Sequence, residues 1–217
     1  MNDARKIYSG HPLFRELRNG LLWHCTSPEE YLQIRACGFI KPNNSLGGKY
    51  GRLRSACQAL DGVSLFDFTT EPETLVLGTA DKWQQFLGCA KPHTIILGLK
   101  RDNMLGKVVP YPKNRDITNS LNCSGPIPWV EVCHCGQIQI SSIAFYLLVY
   151  AFDYNQFKKF EILNEADINH AVTEYTEVVR SQPKDQLHVQ KCNQSPELKV
   201  KMEQARRQAE KIKRQAQ

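Results

Sequence analysis

The chain has 217 residues, 41% of them apolar, and a formal net charge of +6. That is enough for one domain with appendages, or at most two small domains, and no apolar run approaches the ~20 residues that a bilayer crossing needs. The N-terminal MNDARKIYSG lacks the apolar stretch of a secretory leader, so a soluble cytoplasmic protein with no membrane partner, its eight cysteines mostly reduced, is expected.

Leu21–His24 reads as a short strand. Ser27 is a good N-cap, Pro28 suits the first helical position and Glu30 completes a capping box. A helix is therefore expected to about Cys37, with Gly38 as its left-handed stop. Asn43–Ser55 is glycine-rich and basic and reads as a mobile loop. Asp61–Phe68 is a turn feeding a short strand. In Thr79–Gly88, Trp83, Phe86 and Leu87 fall on one helical face and Gly88 ends the helix. His93–Lys100 reads as a central strand. Arg101–Pro128 contains Pro110, Pro112, Pro126 and Pro128 and reads as long and irregular, the kind of connection that is usually functional or disordered.

WVEVCHCGQIQISSI then reads as a strand, a turn at Gly136 and a second extended piece, with Trp129, Glu131 and Cys133 on one face. Ile143–Phe152 is the longest apolar run and reads as a buried strand. A helix is expected from about Asn164 to Arg180. The rest divides into a polar linker over 182–195 and a basic helix over 196–217. That helix carries seven Lys or Arg against three Glu, a net +4 of the total +6. Its Leu198, Met202, Ala205, Ala209, Ile212 and Ala216 form a heptad seam that alanine keeps weak, suited to self-association or to tracking nucleic-acid phosphates. The fold class expected is α+β over 1–181, its later half dominated by strands, followed by these two appendages.

Three separated segments carry residues with chemical use. WHCTS puts His24 at the end of the first strand, GVSLFDF puts Ser64 on a short strand, and EVCHCGQIQISSI puts Glu131 ahead of a glycine turn. In this order they resemble the ADP-ribosyltransferase superfamily. HCTSPEEYLQIRACGFI is similar to the opening of bacterial and phage members, including DNA-modifying toxins, and Glu131–Ile143 is similar to the late catalytic-glutamate strand. The resemblance spans about Leu21–Ala151. It implies a split antiparallel β-sandwich with flanking helices around an NAD cleft, and an NAD-consuming mono-ADP-ribosyltransferase that modifies DNA, RNA or protein and releases nicotinamide.

The same resemblance implies residue roles. Glu131 would stabilise the oxocarbenium-like ribose as nicotinamide leaves. Ser64 would support the nicotinamide side or orient Glu131. His24, assisted by Thr26, would hold a ribose hydroxyl of NAD, and Arg52 or Arg54 would face its phosphates. A cognate antitoxin is a further partner of the toxin reading. Two departures stand out. A serine occupies the middle position where histidine-type members more often carry tyrosine. Trp129 stands where many protein-modifying members place a carboxylate or glutamine, which points away from arginine-directed protein modification.

Other readings compete. An NAD glycohydrolase or an RNA 2'-phosphotransferase-like enzyme would share the fold, although the latter would want an early arginine cluster that this chain lacks. A catalytically inactive module binding nucleic acid or a partner is the third. Taken singly, His24 also suits a structural histidine, Ser27 and Glu30 suit helix caps, and Glu131 suits the solvated face of an edge strand. Cys123, Cys133 and Cys135 lack the C-x-x-C spacing of a zinc site, so no metal is assigned.

Overall fold

The computed structural model describes residues 8–42, 56–87, 93–104, 107–110, 126–152 and 156–181. Arg52, Arg54, Cys123, the linker expected over 182–195 and the basic helix expected over 196–217 lie outside the described residues. The chain divides into two units, Met1–Thr173 and Glu174–Gln217.

The strands are β1 (Leu22–Thr26), β2 (Phe39–Ile40), β3 (Gly62–Phe66), β4 (His93–Leu99), β5 (Val108–Val109), β6 (Glu131–Cys135), β7 (Ile138–Gln139), β8 (Ile143–Phe152) and β9 (Gln156–Leu163). The helices are α1 (Pro12–Leu17), α2 (Pro28–Cys37), α3 (Ala56–Ala59), α4 (Glu73–Gly78), α5 (Ala80–Leu87) and α6 (Glu165–Ser181). Seven strands form one sheet in the order β5-β6-β3-β1-β4-β8-β9, and β2 pairs with β7. Every neighbouring pair is antiparallel. The class is α+β, as composition and patterning lead one to expect.

The central strands are apolar on both faces because both are covered. Trp23, Phe66, Ile96 and Leu147 pack with Phe14 and Leu17 of α1, Val76 of α4 and Trp83 of α5. On the opposite face Leu22, Leu65, Leu97 and Val132 pack with Tyr31 and Ile34 of α2 and with Ile168 and Val172 of α6. Tyr31 Oη donates to Asn169 Oδ1 at 2.9 Å, tying α2 to α6. Among the described residues no helix is long and apolar enough to cross a membrane.

Helix α2 follows its local signals. Ser27 Oγ accepts from the Glu30 N–H at 3.2 Å, Glu30 Oε2 accepts from the Ser27 N–H at 3.3 Å, and Gly38 ends the helix at φ 78°. The stretch expected to be irregular from Arg101 instead contains a 3-10 turn over Arg101–Met104 and the short edge strand β5. Gly98, the next-to-last residue of β4, makes room for the buried indole of Trp23. A Cβ there would lie 2.9 Å from Trp23 Cζ3 and 2.8 Å from Phe145 Cβ. Gly98→Ala should therefore destabilise the protein by about 1–3 kcal/mol, the usual cost of overpacking, read as a lowered urea midpoint at unchanged slope.

Candidate functional site

The sheet order places the three singled-out strands side by side, with β6 beside β3 and β3 beside β1. β3 and β6 are registered along their length, Ser64 opposite Cys133 and Phe66 opposite Glu131. β1 and β4 are likewise registered from Leu22–Leu99 to Thr26–Ile95. Between β1 and β3 the register is a single pair, Trp23 with Phe66. That is where the geometry of the site begins.

Side chains alternate along a strand. His24 therefore leaves β1 with Leu22 and Thr26 on the α2 side, while Ser64 and Glu131 leave their strands with Phe66 on the α1 side. They connect through Ser64, beyond the one registered pair of β1 and β3. His24 Nδ1 is 3.1 Å from the carbonyl oxygen of Ser64. The hydroxyl of the same serine donates to Glu131 Oε1 at 2.6 Å. Ser64 thus joins His24 and Glu131 through its two polar ends, carbonyl and hydroxyl. Of the two roles expected of Ser64, its hydroxyl is directed at orienting Glu131.

A carbonyl only accepts, so His24 Nδ1 carries the hydrogen, and in the neutral ring Nε2 keeps its lone pair. Burial holds the His24 pKa below its ordinary value, against the Ser64 carbonyl and the Glu30 charge, which favour the cation. Burial pushes the Glu131 carboxyl above its ordinary value, against the Ser64 hydroxyl and the Ile127 N–H, which favour the charge. Two of the four lone-pair positions of that carboxylate are taken, by Ser64 and by Ile127 N at 2.8 Å. On the α2 side His24 Nε2 is left as an acceptor, and on the α1 side Glu131 keeps its remaining lone pairs.

Thr26, expected to assist His24, is buried and its hydroxyl is 3.4 Å from Glu30 Oε2, serving the start of α2. Trp129, expected to share a face with Glu131, lies outside β6. It stands at φ 65° in the turn that leads into Glu131, so strand alternation does not reach it. Close approach of β3 to β6 is built in by Gly62, whose Cβ, if present, would run into Cys133 Sγ and lie 2.7 Å from the His134 carbonyl. Cys133 is buried beside Cys57 of α3. The hydrogen bond with Cys133 and burial push the Cys57 thiol far up, which keeps it a neutral packing group.

Two parts of this neighbourhood escaped the sequence reading. One is Ile127, whose signal was available: between Pro126 and Pro128 its N–H is the one backbone donor in a three-residue run ahead of Glu131. The other is Asp67, just past β3. Its carboxylate takes the Arg101 fork at 2.8 Å and the Thr69 N–H at 2.9 Å. The Asp-Phe-Thr-Thr run hinted at a side-chain-capped turn; Arg101, far along the chain, left no local trace.

A pH dependence of stability follows from the buried imidazoles. His134, like His24, has its pKa lowered by burial. When the folded pKa lies below the unfolded one, the unfolded chain binds protons first. Stability is then full above ~6.5 and declines as pH falls through that value toward the folded pKa values. Melts from pH 7.5 to 5 should fall in midpoint, and His134→Asn should flatten the slope; a wild-type midpoint constant across this range would contradict the assignment.

No protein-family model matches the chain, and a search of curated proteins found no match.

Proposed function

We propose that the protein is an NAD-dependent mono-ADP-ribosyltransferase that releases nicotinamide and transfers ADP-ribose to a macromolecular acceptor, nucleic acid or protein. The observation that carries this reading is the hydrogen-bonded line from His24 through Ser64 to Glu131, drawn from three distant segments onto three adjacent strands. The parting of β1 from β3 beyond Trp23–Phe66 supports an ADP-ribosyltransferase-like split sandwich, with NAD entering where the two strands separate.

The chemistry of the lining discriminates between the reactions considered. An acceptor-only pair with a negative charge suits a ligand that brings hydroxyl donors and becomes cationic. A ribose losing nicotinamide does both. A ribose hydroxyl at the other end of the dinucleotide donates to His24 Nε2, and Glu131 stabilises the oxocarbenium charge on the ribose losing nicotinamide most when that charge is greatest, which lowers the barrier. A phosphate placed there would meet a carboxylate and a lone pair, so the lining disfavours the RNA 2'-phosphotransferase reading. Arg52 and Arg54 remain the proposed phosphate contacts, and the 196–217 helix the proposed point of engagement with an acceptor, a second copy or an antitoxin. A cytoplasmic location belongs to the same reading.

The test is incubation with NAD labelled in the ribose, in the presence of DNA, RNA and cell lysate, with mass spectrometry of all three classes and of free nicotinamide. Labelled macromolecule with nicotinamide supports the transferase. Nicotinamide with free ADP-ribose and no labelled macromolecule makes it a glycohydrolase. No turnover of NAD in any mixture removes the enzyme reading and leaves the binding module.

A further inference from the structure

We infer that Pro126-Ile127-Pro128 is a preformed backbone clamp that aims the Glu131 carboxylate, so that Glu131 is positioned by one main-chain N–H on one oxygen and by Ser64 on the other.

Proline has a fixed φ and no N–H, and the residue before a proline is confined to extended conformations. The run Pro126-Ile127-Pro128 is therefore stiff before it folds and has a single donor to offer, on Ile127. That donor meets Glu131 Oε2 at 2.8 Å. Two carbonyls of the turn are spoken for as well. Ile127 O accepts from the Glu131 N–H at 3.0 Å, and Val130 O accepts from the Asp67 N–H at 2.7 Å. Pro128 O lies 3.3 Å from the Thr79 hydroxyl. The Ile127 and Val130 side chains are buried in the core shared with Trp23 and Phe66. The turn closes through Trp129 in the left-handed region, a conformation costly for a bulky L-residue, and the bonds around it hold it there.

The consequence is mechanical. The first residue of β6 carries its own orienting donor four residues earlier, so one of the two bonds that aim its carboxylate comes from the main chain and the other from Ser64. A carboxylate accepting bonds on both oxygens cannot rotate about its terminal torsion without losing both, so its free lone pairs point in a fixed direction. For the glycosyl-transfer reading, on which the kinetic arm alone rests, this removes a reorganisation step when charge develops on the ribose.

The test uses the full chain with residue 127 replaced by the α-hydroxy acid analogue of isoleucine, which deletes the N–H and keeps the side chain, together with Pro126→Ala/Pro128→Ala. Titration of the Glu131 side-chain carboxyl by 13C NMR reads the clamp directly. Losing a donor that favours the charged form should move the midpoint upward in the hydroxy-acid protein. The double proline variant should broaden the Glu131 resonance or move the midpoint the same way. Where NAD turns over, kcat should drop roughly ten- to a hundredfold, the range for a hydrogen bond to a charged group, with KM within about twofold. A folded hydroxy-acid protein with an unmoved Glu131 midpoint overturns the clamp. A moved midpoint in a protein that never consumes NAD upholds the clamp and overturns the proposed reaction.

Discussion

Glu131→Gln should reduce nicotinamide release by on the order of 10²–10³-fold, the loss typical for one preorganised electrostatic group, while leaving the melting temperature at pH 7 unchanged or raised. The substitution isolates charge from shape. The glutamine carbonyl still accepts from the Ile127 N–H, and its amide can donate to Ser64 Oγ, which then acts as acceptor. Both heavy-atom contacts of the carboxylate can be kept, and the β3–β6 register has no reason to shift. Only the negative charge is gone, the one that the proposed reaction sets opposite its developing cation.

The stability half of this prediction has its own sign. The Glu131 pKa is raised in the folded state, chiefly by burial. A raised pKa contributes stability below the unfolded value, and that contribution is lost as pH rises through the folded value. Above the unfolded value the raised pKa is therefore a cost, which glutamine removes; at pH 4 wild type and variant should converge. A catalytic carboxylate kept at the expense of stability gives this pair of results. Turnover unchanged in Glu131→Gln would remove Glu131 from the chemistry. A lower melting temperature at pH 7 would make it a structural anchor.

What was legible in the sequence was local. Ser27, Pro28, Glu30 and Gly38 each act within a few residues, and helix α2 runs as they specify. The long apolar run Ile143–Phe152 becomes β8 for the same reason: a strand buried on both faces needs no alternation. The order of His24, Ser64 and Glu131 was legible as a resemblance. Their juxtaposition was not, because it depends on strand order and on where a ladder stops. Helix α1 was missed because a histidine caps it, with Nδ1 accepting from the Leu13 N–H, and α4 because Pro72 precedes it with no side-chain cap. Trp129 was assigned to the strand because period-two reasoning has no term for a turn closing at positive φ. Ile127 was marked by its flanking prolines as a lone backbone donor, but which acceptor that N–H meets depends on how the turn closes onto Glu131.

Asp67→Ala should destabilise the fold by about 2–3 kcal/mol, below the roughly 3–5 kcal/mol for breaking a fully buried pair, since the Arg101 side chain is 36% exposed and water can reach it. Burial raises the Asp67 pKa, but the Arg101 fork, the Thr70 hydroxyl and the Thr69 N–H outweigh it and hold the value at about 2 against an ordinary 3.8. The difference, 3.8 minus about 2, corresponds to about 2 kcal/mol at neutral pH. With the folded pKa depressed, that contribution is complete above 3.8 and lost as pH falls through 2. The gap between wild type and Asp67→Ala in urea unfolding should accordingly narrow between pH 4 and pH 2. Arg101→Ala should cost less, because the backbone and hydroxyl groups of Thr69 and Thr70 still satisfy the carboxylate, whereas Asp67→Ala leaves those donors without their acceptor and the guanidinium with only Gly20 O and the Thr69 hydroxyl. The double variant should then be no less stable than Asp67→Ala alone. Strict additivity of the two losses would mean that the pair is uncoupled and that the stabilisation resides in the threonine turn.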